Sequence, residues 1–142
     1  LDYAKLESGS FEVDICKINL QDSLAGVVHS ISQKIQDKNI RLRTHFSADL
    51  PKFTETDSRR LQQVLFNLLG NSGKFSKTNS VIDLHVSLIP KALKDKRERF
   101  ICDPSNSDKL ENHDIVRFSI KDYGKGIDKK DFTTIFQPFS QA

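Results

Sequence analysis

Asp57 to Ser76 reads DSRRLQQVLFNLLGNSGKFS, and the spacing of its apolar residues decides how the rest of the chain can be arranged. On a helical wheel with Asn67 at zero and about 100° per residue, Val64, Phe75, Leu68, Leu61, Leu65 and Leu69 fill one arc of about 140°. Such an arc predicts an amphipathic helix whose apolar side faces a core. Arg60, Asn67, Asn71 and Lys74 cluster within about 60° on a neighbouring ridge, with the two asparagines beside the apolar border, so they are placed to line a cleft. A solvated polar face on an ordinary core helix would give the same pattern. Asp57 or Ser58 can cap the helix start, because a short side-chain oxygen there accepts from a free N–H of the first turn. Gly70 and Gly73 each cost about 1 kcal/mol against Ala inside a helix, which points to close backbone approach or to the helix ending.

Working outward, Phe11, Val13, Ile15 and Ile18 alternate or nearly alternate with polar residues and predict a strand, and Asn19 to Asp22 can open a helix. Leu24, Val27, Val28, Ile31 and Ile35 recur at helical spacing, and Asp37-Lys38-Asn39 closes that helix in polar residues. Ile40, Leu42, Thr44 and Phe46 alternate as a second strand, broken by Leu50-Pro51 before the central helix. Beyond it, VIDLHVSLI over 81–89 and IVRFSIK over 115–121 predict two more strands forming a hairpin, with 90–114 as a surface insertion. Phe132, Ile135, Phe136 and Phe139 around Pro138 are placed to pack on a core. Leu1 to Glu7 has helical composition without a start signal, and Ser8-Gly9-Ser10 reads as a helix stop, so both ends look cut from something longer.

The chain has 142 residues, 37% hydrophobic and 29% charged, which suits one domain with a real core. A net charge of +3 is too mild to argue for a nucleic-acid partner, and the apolar runs are too short for a membrane span or a signal segment. Cys16 and Cys102 lack a paired motif and suit a reducing compartment. His29, His45, His85 and His113 have no metal-site spacing.

The second informative stretch is Asp122 to Asp128, DYGKGID, directly after the last strand. Alternate glycines let a backbone bend tightly and lie against a flat ligand, and a carboxylate before them can accept from an exocyclic amine. A conformational turn between strand and helix would use the same residues. The dinucleotide fingerprint is excluded by the missing third glycine, and no G-x-x-x-x-G-K-[ST] loop is present.

Taken together and in this order, LDYAKLESGSFEVD, NLLGNSGKFS, DYGKGID and FTTIFQPFSQA resemble sensor histidine kinases of two-component systems, particularly hybrid kinases, over nearly the whole chain. NLLGNSGKFS is similar to that family's N box, DYGKGID to its first glycine box and FTTIFQPF to its F box. The resemblance implies an α+β fold, a two-layer α/β sandwich of the Bergerat type with a mixed sheet covered by helices on one face. It implies residues 1–9 as the end of a helical dimerisation domain and 10–142 as a partial ATP-binding catalytic domain. ATP and Mg²⁺ are the implied cofactors: Asn71 would bind the magnesium ion, Asn67 would help hold the metal–triphosphate group, and Lys74 would meet phosphate oxygens. Asp122 would accept from the adenine amino group, with Gly124, Gly126 and Ile127 at the nucleotide. Implied partners are a histidine phosphoacceptor domain, in the same chain or a dimer partner, and a downstream response-regulator receiver domain. The resemblance implies a homodimeric, cytoplasmic kinase with no nucleic-acid or membrane contact by this segment.

Three departures qualify the likeness. Ser72 stands where the family commonly has Ala, a small-for-small change. No acceptor-histidine motif is present, and no second glycine box, G-x-G-L-G, appears before Ala142. A catalytically incomplete scaffold module of the same fold therefore stays open beside the kinase. So does a chaperone, topoisomerase or mismatch-repair ATPase of the superfamily, although those use a Glu base where Asn67 stands.

Overall fold

The computed structural model of the chain describes residues 12–89 and 114–136. Its elements run β1 (Cys16–Asn19), α1 (Leu20–Ile35), a 3₁₀ turn (Gln36–Lys38), β2 (Arg41–Phe46), β3 (Phe53–Thr56), α2 (Ser58–Phe75), β4 (Val81–Ile89) and β5 (Ile115–Lys121). Two further 3₁₀ turns, Lys129–Asp131 and Thr134–Phe136, follow. β4 is the centre of a mixed three-stranded sheet, parallel to β2 and antiparallel to β5, while β1 and β3 form a separate antiparallel pair. The expected hairpin of 81–89 with 115–121 is present, in a register that sets Asp83 opposite Lys121 and Ile89 opposite Ile115.

Both helices start where short polar side chains satisfy free amides. Asn19 Oδ1 accepts from the amide of Asp22 at 3.1 Å, and Asp57 Oδ1 accepts from that of Arg60 at 3.1 Å. Asp57 Oδ2 also accepts from the amide of Asp14 at 2.9 Å, and these two bonds, the one from Asp14 first, hold its carboxyl below the usual range. The turns entering β2 and β4 are fastened to each other. Asn39 and Asn79 both take left-handed φ, at 54° and 63°, and Asn39 Nδ2 donates to Asn79 Oδ1 at 2.8 Å. Asn79 N donates to Lys38 O at 3.0 Å, which brings the two parallel strands into register from one end.

Leu20, Leu24, Val27, Ile31 and Ile35 of α1 and Leu65 and Leu69 of α2 meet Ile82, Leu84 and Val86 of β4 in one core. Period-two alternation puts that strand's Asp83, His85 and Ser87 on the opposite face. The result is the expected two-layer α/β sandwich, a mixed sheet covered by helices on one face.

Three expectations need correction. The strand expected over 11–18 is paired only from Cys16 to Asn19, because its partner β3 offers just four residues, and Val13 and Ile15 remain exposed. β3 itself was not expected, being short and following directly on Pro51. Phe132, expected in the core, is 51% exposed on the surface next to a 3₁₀ turn. The expected helix tail at 1–7, the insertion expected over 90–114 apart from its last residue, and the packing of the Phe136 and Phe139 side chains lie outside the described residues.

Candidate functional site

The site is built on α2. Leu65 and Leu69 are buried on its inner side together with Ser72, Gly73 and Ser76. At about 100° per residue, Asn67, Asn71 and Lys74 then fall on the opposite side, and all three are exposed. They line an open cleft of about 580 Å³ together with Lys34, Lys38, Phe66 and Gly70. Two amide side chains four residues apart and an ammonium three further on thus share one ridge. Amide oxygens suit a hard cation such as Mg²⁺, which takes oxygen ligands and keeps several waters, and the lysine suits an anion beside it.

Flanking that ridge, on the side away from α1, runs an apolar strip that the expected arc had assigned to the core. Val64, Leu68 and Phe75 are 53%, 49% and 49% exposed, so none of them is in the core. The physical reason is the width of the arc: the helix buries only the edge of it that faces the sheet, Leu65 and Leu69, and leaves the opposite flank open.

The glycine loop after β5 is held against the end of this strip. A Cβ built on Gly124 would lie only 2.4 Å from the carbonyl oxygen of Phe75, so the loop backbone rests directly on the last turn of α2. Asp122 Oδ1 accepts from the amide of Gly124 at 3.0 Å, and its second oxygen has no hydrogen bond among the described residues. Gly126 takes φ +75°, which favours glycine, and Ile127 after it is 49% exposed. Lys74 and Lys125 both carry their ammonium groups over the Phe75 ring, at 5.3 and 5.5 Å from its centroid. A cation from the helix and one from the loop are thereby brought to a single aromatic ring.

An anchor on the far face of the sheet was not read from the sequence. The Tyr123 hydroxyl donates to Asp83 Oδ2 at 3.2 Å, and Asp83 also receives Arg43 Nε at 2.7 Å and Nη2 at 2.9 Å. The Arg43 hydrogen bonds, set against the desolvation of a carboxylate only 4% exposed, hold Asp83 well below the usual carboxylate range, at about 2. The only signal for this cluster was register: Arg43 pairs with Asp83 across β2 and β4, and Tyr123 lies two residues past Asp83's partner on β5.

Of the two glycines in α2, only Gly73 serves close approach. A Cβ there would lie 2.5 Å from Ile35 Cγ2, whereas one on Gly70 would meet nothing within 4 Å. Asn67, Asn71 and Lys74 are thus brought together on α2. Asp122, Gly124, Gly126 and Ile127 sit on a loop clamped between the end of α2 and the outer face of the sheet.

Residues 56–142 match the family described as histidine kinase-, DNA gyrase B-, and HSP90-like ATPase. The hybrid signal transduction histidine kinase L of Dictyostelium discoideum is 30% identical over all 142 residues, a stretch that spans only 7% of that protein. Full-length ShkA, solved in complex with AMPPNP, is similar at a TM-score of 0.75 and 25% identity, over 99% of this chain and 25% of that one. The nucleotide-free catalytic domain of the histidine kinase ThkA shares the fold at a TM-score of 0.63 and 21% identity, over 91% of this chain and 72% of that one. No helix among the described residues is long and apolar enough to cross a membrane.

Proposed function

The chain belongs to the histidine kinase-, DNA gyrase B-, and HSP90-like ATPase family, as an ATPase domain of the sensor histidine kinase kind; from that premise we propose that it binds Mg²⁺–ATP on the outer side of α2 and transfers the γ-phosphoryl group to a histidine in a neighbouring domain. The observation that carries this reading is a polar ridge on one helix with a half-exposed apolar strip and a glycine loop along its flank away from α1.

Each part has a chemical task. Val64, Leu68 and Phe75 with Ile127 offer an apolar wall for a flat base, and Asp122 at its end can accept from the exocyclic amine through the oxygen that Gly124 does not use. Asn71 and Asn67 would hold the magnesium ion and the phosphates, and Lys74 would place positive charge on the group in transfer. The magnesium ion, when bound, neutralises phosphate charge and leaves the γ-phosphorus open to attack. Asn67 has no basic oxygen with which to activate water, so the ridge favours transfer to a positioned acceptor over hydrolysis.

In this reading the residues 1–9 end a dimerisation domain. The histidine acceptor, in the same chain or a dimer partner, and a response-regulator receiver domain complete a two-component phosphorelay in the cytoplasm. Asn71→Ala in the full-length protein should abolish autophosphorylation with the circular dichroism spectrum unchanged; activity near the wild-type level would overturn the metal assignment. Asp122→Asn should weaken ATP binding by about 1–3 kcal/mol, the cost of an impaired buried hydrogen bond. An unchanged dissociation constant would leave Asp122 a turn residue only.

A further inference from the structure

Anion sites are commonly built on the N-terminal ends of helices, where free amides and the helix dipole both favour negative charge. The ridge on α2 is at the wrong end. Asn71 and Lys74 lie in the last two turns of a helix that ends at Phe75, where free carbonyls carry a partial negative charge of about half an electron. A ligand with several phosphates held there meets a repulsive helix end unless something offsets it.

Lys38 is placed to do so. From the 3₁₀ turn after α1, its ammonium donates to the carbonyls of Gly73 at 3.1 Å, Lys74 at 2.9 Å and Ser76 at 3.4 Å. An ammonium has three hydrogens, and here three carbonyls take them. Ser76 N returns to Ser72 O at 3.0 Å, and the Phe75 carbonyl is the one against which Gly124 rests, so the last turn is gripped from both sides. With its hydrogens engaged, Lys38 does not reach out to a ligand. It acts through the helix.

We propose that Lys38 is a positioning residue for the polyphosphate part of the ligand, neutralising the C-terminal end of α2 and fixing the turn that carries Lys74. The proposal rests on the nucleotide reading above. It separates the phosphates from the base: loss of the Lys38 charge should weaken ligands in proportion to the negative charge near the helix end and should spare the base contacts.

The test measures dissociation constants for Mg²⁺–ATP, ADP and AMP on the full-length protein, for wild type, Lys38→Gln, Lys38→Arg and Asp122→Asn, at low and high salt. Lys38→Gln should lose about two- to fivefold more affinity for ATP than for AMP, and that excess should shrink at high salt. Lys38→Arg keeps the charge and should keep the wild-type ATP-to-AMP ratio even if its thermal stability falls. Asp122→Asn should weaken all three nucleotides alike. Equal losses across the three nucleotides in Lys38→Gln, an excess insensitive to salt, or loss of the ratio in Lys38→Arg would overturn the proposal and reduce Lys38 to a structural cap. A wild-type protein that binds none of the three would instead overturn the nucleotide reading, and this inference with it.

Discussion

Two glycines three residues apart on α2 should respond unequally to the same substitution. Ala at Gly70 would place its Cβ in open space, so the change should return the helix-propensity difference, about 1 kcal/mol of added stability. Ala at Gly73 gains the same propensity but drives its Cβ to 2.5 Å from Ile35 Cγ2, about 1 Å inside ordinary contact. Ile35 is 4% exposed, closes α1 and packs in the core, so it has little room to yield. Overpacking of this kind costs about 1–3 kcal/mol. Because propensity cancels between the two variants, the difference in their unfolding free energies isolates the overpacking term. Urea denaturation followed by circular dichroism should therefore separate their midpoints by about 1 M at an ordinary denaturant slope. A double-mutant cycle sharpens the point: Ile35→Ala removes the clashing methyl, so its cost of about 2–5 kcal/mol should fall in the Gly73→Ala background. Equal stability of the two alanine variants, or strict additivity in the cycle, would refute the claim that Gly73 is there to let α1 and α2 touch.

Gly124→Ala should push the glycine loop off the last turn of α2, since the Phe75 carbonyl at 2.4 Å is backbone and cannot rotate aside. A displacement of about 1 Å at Asp122 should lower nucleotide affinity roughly tenfold or more, with a smaller loss for Gly126→Ala, where only the φ of +75° is strained; equal losses in the two variants by calorimetric titration would count against the contact. Arg43→Ala should move Asp83 from about 2 back toward the ordinary 3.8. A carboxyl depressed in the folded state stabilises above its unfolded value and loses that contribution as pH falls through its folded value. Thermal stability of wild type and Arg43→Ala should thus differ most above pH 4 and converge toward pH 2, and a constant gap over that range would refute the assignment.

The elements most legible in the sequence were those whose apolar period answered to a single buried partner. In α1, Leu24, Val27, Ile31 and Ile35 face one core and nothing else, so the spacing maps directly onto burial. β4 and β5 were legible for the same reason, each alternating between a helix-covered and an uncovered face. β1 and β3 were harder to read because a strand exists only where it has a partner, and alternation over Val13 and Ile15 says nothing about whether one is there. The Arg43–Asp83–Tyr123 cluster depends on register across three strands, which no single segment encodes. In the sequence Lys38 figures only as part of a polar helix stop. Its real contacts are 35 to 38 residues away, with carbonyls that any sequence would supply.

α2 shows why a site can be misread even where its helix is read correctly. Hydrophobic periodicity reports which side chains avoid water, and a side chain avoids water equally well against a core or against a bound base. Val64, Leu68 and Phe75 continue the arc of Leu65 and Leu69 without a break in residue type, so the wheel assigns them all to one interior. The structure divides that arc, burying Leu65 and Leu69 and leaving the other three half exposed on the flank next to Asn67, Asn71 and Lys74. Leaving large apolar side chains half in water costs stability, since each would gain about 1 kcal/mol more if fully buried. A helix that keeps three of them half exposed next to two amides and a lysine has the composition of a ligand wall, apolar with a few convergent polar groups. On the nucleotide reading proposed above, a base would cover part of this strip, which runs about 16 Å along the helix from Val64 to Phe75, and the exposure of the side chains it touches should fall when a nucleotide stacks there.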